Sequence, residues 1–317
     1  MSSAGNTKFS WPDNKRFAFS IFDDTDRATL ENNQPIYRLL SELGFRTTKS
    51  VWIEEGDDPP YIPGITCADP DYLDWCLDLQ KEGFEIAWHN ATWETSDRER
   101  TLRGLDRFRS LFGHDPISMA NHASNEEGIY WGSERLSGWR KAVSRVAGPS
   151  TNFTGHVESS PLFWGDLCHD RVRYVRNFVF RDIDTLGNCP WMPYHDPRKP
   201  FVHRWYASSS GADAAEFVHL LRPGNLDRLE KDGSACIVYT HFGKGFVEKG
   251  EVIRPVRERL EDLAQRGGWF VPVSTLLDFL ESTRDGSPDL SSAQRNRLEL
   301  GWICDRIRAK FSNLGGE

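Results

Sequence analysis

The six cysteines, at 67, 76, 168, 189, 236 and 304, never form a C-x-x-C pair. That excludes a zinc ribbon, and six in 317 residues are too sparse for a disulfide scaffold. They read as thiols of a reducing compartment. No block of like charge occurs, and a net charge of -8 with a pI near 5.7 argues against a nucleic-acid partner. No apolar run is long enough to span a bilayer, and the opening M-S-S-A-G-N-T-K-F-S lacks the apolar centre of a signal peptide. The expectation is a cytoplasmic protein that does not span a membrane. A Gly-rich phosphate loop is also missing. After the first strand-like run stands D-D-T-D-R-A-T, whose carboxylates repel phosphate, against a dinucleotide-binding sheet.

The chain is 38% hydrophobic with twelve tryptophans, enough for a sizeable core. R-F-A-F-S-I-F (16–22), F-R-T-T-K-S-V-W-I (45–53), F-E-I-A-W-H (84–89) and D-P-I-S-M-A-N (115–121) read as strands. So do 172–180, 235–241 and 269–273. Helical patterns alternate with them. One is capped by Asp69 with Pro70 in its first turn; another opens with Ser96 and Glu99 at capping-box spacing and stops at Gly113. Alternation at roughly 30-residue intervals means βαβ units and a parallel sheet. A distorted (β/α)7 TIM-like barrel over 16–284 is expected, with a flexible N-terminus at 1–15 and a C-terminal helical tail at 285–317. Residues 145–215 are irregular and aromatic.

Parallel α/β folds collect chemistry at the carboxyl ends of strands. The first strand ends on Asp23 and Asp24, the third on His89 and Asn90, the fourth on Asn121 and His122, and the 235–241 strand on His241. Singly, each reads as a cap or a structural hydrogen-bonding residue. Together on one rim they suit metal-assisted hydrolysis. One carboxylate and two imidazoles hold a divalent ion; a second carboxylate takes a proton from water; an imidazole gives one to the leaving group.

These stretches resemble the polysaccharide deacetylases (carbohydrate esterase family 4). F-A-F-S-I-F-D-D resembles their T-F-D-D motif, and E-G-F-E-I-A-W-H-N-A-T-W resembles G-H-E-I-x-x-H-[ST]-x-x-H. C-I-V-Y-T-H resembles the late L-x-H motif, and the order agrees over 16–280. The resemblance implies removal of an acyl group, acetyl above all, from an N- or O-acylated sugar, by metal-bound water. It implies Asp23 as general base, Asp24 and His89 as metal ligands, and His241 as general acid. Zinc is the implied ion, with cobalt, nickel and manganese as alternatives. The family's second metal histidine falls on Trp93, and its Pro and Arg motif is replaced by S-M-A-N-H-A-S-N. Two accounts stand. His122 supplies the lost ligand, with Glu94 ranked behind it, or the chain has lost its metal and binds a glycan.

The segment N-C-P-W-M-P-Y-H-D-P-R-K-P-F-V-H-R-W-Y (188–206) is rich in aromatic and basic residues. Trp191, Tyr194 and Arg204 are its candidates for stacking on sugar and holding an anion; Asn90, Asn121 and Trp93 join them at the rim. The alternative is a surface loop with its aromatics tucked onto the barrel. The expected partner is a small acylated sugar or glycan precursor, with an amidase on a small non-sugar amide as the rival enzyme and homo-oligomerisation open.

Overall fold

The computed structural model describes residues 9–147 and 151–314. Seven parallel strands form a closed barrel: β1 (Ala18–Asp23), β2 (Thr48–Val51), β3 (Glu85–Trp88), β4 (Ser118–Met119), β5 (Tyr174–Phe180), β6 (Arg204–Ser210) and β7 (Ala235–Thr240). They run in chain order, and β7 returns to pair with β1 along its whole length, from Ala18↔Ala235 to Asp23↔Thr240. A short hairpin, β8 (Val247–Glu248) and β9 (Glu251–Val252), lies apart. The strand β10 (Trp269–Phe270) shares the other edge of β1 with β2: it takes Ala18 and Phe19, and β2 takes Phe22 and Asp23. No described helix is long and apolar enough to cross a membrane.

Period-two alternation sorts the strand residues into two layers. On β3, Trp88 points outward onto Phe108 of the helix Arg98–Phe112. Its neighbour Glu85 points into the lumen near the base. There the carboxylate accepts hydrogen bonds from Thr48 Oγ1 (2.7 Å), Ser118 Oγ (2.7 Å) and the Ser274 amide (3.0 Å). Burial pushes the Glu85 carboxyl up, against these donors.

Several helix starts follow from local chemistry. Asp69 caps Pro70–Lys81, accepting from the Tyr72 amide, and Gly113 ends Arg98–Phe112 at φ 81. The Ser96 capping box does not form. Asp97 is the cap, accepting from the Arg100 amide at 2.8 Å, while Ser96 is buried and turned back on Glu94.

Two segments differ from expectation. Of the N-terminal segment, residues 1–8 lie outside the described residues; within 9–15 Trp11 is buried and its indole donates to Gly233 O, while Ser10, Asp13, Asn14 and Lys15 are exposed. The aromatic stretch after 188 runs into a barrel strand, β6, so that part of it is wall rather than loop. The tail forms the helix Ser292–Leu314, which lies along the chain's own barrel. Trp302 donates to Val179 O at 3.1 Å, and Arg295 is bonded to Asp196. Five cysteines are buried and Cys304 is exposed; all six are free.

Replacing Glu85 by alanine leaves two buried hydroxyls and an amide without their acceptor, each worth ~1–3 kcal/mol. Glu85→Ala should lower stability in urea unfolding by about 4 kcal/mol, and Glu85→Gln, which keeps an acceptor, by less than half of that.

Candidate metal centre

Asp23 and Asp24 are adjacent on a strand end, so they cannot face the same way. Asp23 points outward into the helix layer. Its carboxylate is enclosed by Lys49 Nζ (2.9 Å), the Tyr37 hydroxyl (3.1 Å) and the Phe242 amide (2.8 Å). Burial pushes its carboxyl up despite Lys49. Asp24 points into the lumen, where Arg176 of β5 grips it through two hydrogen bonds of 2.9 and 2.6 Å. Burial opposes the charge, but Arg176 holds the Asp24 carboxyl below the usual range.

The acid that meets the histidines is Asp26, in the turn after β1. His89 Nε2 lies 3.4 Å and His122 Nε2 3.6 Å from Asp26 Oδ1, and His241 Nε2 3.2 Å from Asp26 Oδ2. Lys244 Nζ stands 3.3 Å from the same oxygen as His241. The turn is held by its surroundings. The Arg27 amide donates to Pro63 O, and Gly243 packs so tightly on Arg27 that a Cβ there would sit 2.4 Å from the Arg27 carbonyl carbon.

The imidazoles are oriented from behind. His89 Nδ1 contacts Ala120 O (3.0 Å), His241 Nδ1 contacts Ala212 O (2.7 Å), and His122 Nδ1 contacts the Asn125 side-chain oxygen (2.8 Å). A carbonyl only accepts, so each Nδ1 carries a proton, and a ring in its neutral form turns the Nε2 lone pair toward Asp26. Lone pairs then face a carboxylate, an arrangement that repels itself unless a cation or a proton lies between.

Asp26 Oδ1, His89 Nε2 and His122 Nε2 are buried without any hydrogen-bond partner, and one ligand atom from each residue lies within 4.8 Å of the others. Buried polar atoms without partners are rare, and three that converge fit a divalent cation with nitrogen and oxygen ligands. Burial works against a charge on Asp26, but the neighbouring His241 and His89 hold its carboxyl well below the ordinary range. Burial and the neighbouring His89 push His122 down, toward the neutral ligand form.

The sequence assignments therefore redistribute. His89, His122 and His241 meet at one point. Asp24 was expected as a ligand, but Arg176 occupies its carboxylate and Asp26 stands in that place. Asp23 was expected as the base, but it faces away from the lumen. Asn90 supports rather than lines the site: its Oδ1 accepts from the His122 amide (2.8 Å), and its own φ is 66°. Asn121 spends its amide on both backbone groups of Ile129. Trp93 is half-buried, donates to Asp58 O and packs edge-on against Trp52. Glu94 is taken by the Asp57 and Asp58 amides and Arg100. Trp191, Tyr194 and Arg204 are away from the centre. Arg204 opens β6 at the barrel base and pairs with Glu281; Tyr194 is buried against Asn177; Trp191 packs under Arg297 of the C-terminal helix.

Sequence reasoning missed Asp26, Arg176 and Trp52. Trp52 is fully buried and lies against both rings, at 6.1 Å from His89 and 5.3 Å from His122. It also missed Glu127, whose Oε1 accepts from Asn90 (2.7 Å) and Asn125 (2.8 Å), the two residues that hold His122.

No family model matches the sequence, and no curated protein matches it. Solved structures do. A Mycobacterium smegmatis protein assigned to the polysaccharide deacetylases superposes with a TM-score of 0.50 at 13% identity, covering 90% of this chain and 96% of that one. The Puue allantoinase gives 0.50 at 13% identity, over 88% and 94%. This chain has the polysaccharide deacetylase fold. In that fold's terms the cluster sits at the carboxyl ends of β1, β3, β4 and β7, where a parallel barrel places its chemistry.

Glu127 gives this surrounding shell a pH signature. Burial pushes its carboxyl up to about 7 from 4.5, so the folded chain keeps a proton that the unfolded chain gives up first. Stability from this group is therefore full below about 4.5 and falls as pH rises toward 7, by roughly 3 kcal/mol. Urea unfolding of Glu127→Gln should show that slope removed between pH 4.5 and 7.5; an unchanged slope would assign it elsewhere.

Proposed function

We propose that this protein is a metal-dependent hydrolase that removes an acyl group, acetyl above all, from an N- or O-acylated sugar or glycan precursor. The observation that carries the reading is the convergence of three partnerless buried ligand atoms, from Asp26, His89 and His122. Those residues would hold the ion. A divalent cation there supplies Lewis acidity, polarising an acyl carbonyl and making water a better nucleophile at neutral pH.

The chain's own groups supply the proton movements. Asp24 is an ionised carboxylate whose two oxygens are both committed to Arg176, so it adds negative charge beside the cluster and moves no proton. His241 carries the proton. Its Nδ1–H is committed to Ala212 O, so Nε2 is the atom that takes a proton from the attacking water, with Asp26 Oδ2 steadying the charge, and then gives it to the leaving nitrogen or oxygen. The transfer balances: one proton enters at His241 Nε2 and one leaves from it, and the acyl carbon exchanges its nitrogen or oxygen substituent for hydroxide.

A second substrate class has a specific support. The chain superposes as well on an allantoinase as on a deacetylase, so a small cyclic amide or ureide remains the rival substrate. Zinc is the ion we expect, with cobalt, nickel and manganese as alternatives, and the cytoplasm the place of action.

Elemental mass spectrometry of purified protein should find about one divalent ion per chain. Asp26→Asn, His89→Ala and His122→Ala should lose it, while His241→Gln keeps it and loses hydrolysis by about 10²–10⁴-fold. Acetate release from N-acetyl and O-acetyl sugars, against ring opening of small ureides, separates the two substrate classes. A wild type that takes up no ion after addition of zinc, cobalt or manganese would overturn the reading.

A further inference from the structure

Where the C-terminal helix covers the barrel, positive charge is buried in excess. Asp24 is committed to Arg176, Asp196 to Arg295, and Glu299 to Arg140. Arg135 and Lys199 remain. Arg135 is 9% exposed; among the described residues it has no carboxylate within ion-pair distance, and its Nε is buried with no hydrogen-bond partner. Lys199 is 7% exposed and donates to the Arg135 carbonyl oxygen at 2.6 Å.

Position relates Arg135 to the centre. Its guanidinium lies 3.4 Å above the Trp131 ring and 5.8 Å from the Trp302 ring. Trp302 is itself bonded to Val179 O, near the carboxyl end of β5. The charge that weighs most on Arg135 is that of Arg176, which lies on β5 like Val179 and grips Asp24 across the lumen, and the Tyr239 phenol beside His241 also acts on it. Arg135 therefore belongs to the β5 side of the barrel mouth.

The energetics ask for a partner. Burying an ion without a counter-charge costs several kcal/mol. Stacking a cation on an indole returns about 2 kcal/mol. Burial and Arg176 together push the Arg135 guanidinium down to about 9, as expected of a cation missing its anion, while burial pushes Lys199 down to about 8 against the pull of Asp196 and Glu299. Trp131 meanwhile fixes the guanidinium plane, the pre-organised fork that takes a carboxylate or phosphate through two parallel hydrogen bonds.

We infer that Arg135, backed by Lys199, is an anion-binding subsite, and that the acylated substrate carries a carboxylate or phosphate group. The second half of this inference rests on the hydrolase reading; the first does not.

The test uses the full chain, stripped of divalent ions with a chelator so that no metal competes for the anion. Calorimetric titration with inorganic phosphate, and separately with malonate, should show binding to the wild type. Arg135→Gln should weaken it at least tenfold and Arg135→Lys should restore part; the stronger of the two probes names the anion class. Equal binding by wild type and Arg135→Gln, or none by wild type, overturns the subsite. Should Arg135→Gln not fold, Arg135→Lys decides: it keeps charge but loses the fork, so several-fold weaker binding supports the subsite and unchanged binding overturns it. The metal-loaded enzyme then receives N-acetylglucosamine and N-acetylglucosamine 6-phosphate. Preference for the phosphorylated sugar in kcat/KM, lost in Arg135→Gln, supports the substrate inference, and equal turnover overturns it. Phosphate binding without any hydrolysis would leave the subsite standing while the hydrolase reading falls.

Discussion

The ion pair between Asp24 and Arg176 crosses the lumen from β1 to β5, and the arrangement of the barrel mouth depends on it. Both groups are almost fully removed from water, so their net stabilisation is small; removing one partner alone would cost about 3–5 kcal/mol. The guanidinium is also held between rings, 5.2 Å from Phe22 and 4.3 Å from Tyr239. With Arg176 fixed, Asp24 has one place to go. The carboxylate left to face the imidazoles is the next one out, on the turn.

Around that pair the acids divide the work by direction. Asp23 holds the helix layer to the barrel through Lys49 and Tyr37. Asp24 ties two walls together, and Asp26 gathers His89, His122 and His241. Behind the histidines, Asn90, Asn125 and Glu127 form a support whose bonds end on the His122 backbone and ring. Three acids within four residues of sequence thus serve a scaffold, a brace and a cluster.

The barrel was legible because β1, β3, β5 and β7 alternate or run apolar at recognisable spacing, with capped helices between them. His89, His122 and His241 were legible as strand ends. The choice among the acids was not, because a motif match assigns neighbouring carboxylates to one rim without asking which face each takes. Asp26 could have been found: it is the third acid of D-D-T-D, and Lys49, opposite Asp23 on the next strand, claims Asp23 and so leaves a later acid for the histidines. In the 188–206 segment the strand from Arg204 onward was not legible, because prolines and aromatics hide it. Trp205 and Tyr206 of β6 are buried within the wall. Arg135 offers no pattern at all; its interest comes from a missing partner, which only three dimensions reveal.

Trp52 sits with its indole against both His89 and His122 and is closed off from solvent. An indole in contact with two rings that would bind the ion is an optical reporter built into the site. The remaining tryptophans supply a constant background, so the difference between loaded and stripped protein belongs largely to this one ring. The site can therefore be watched by ultraviolet emission, without a substrate and without a label.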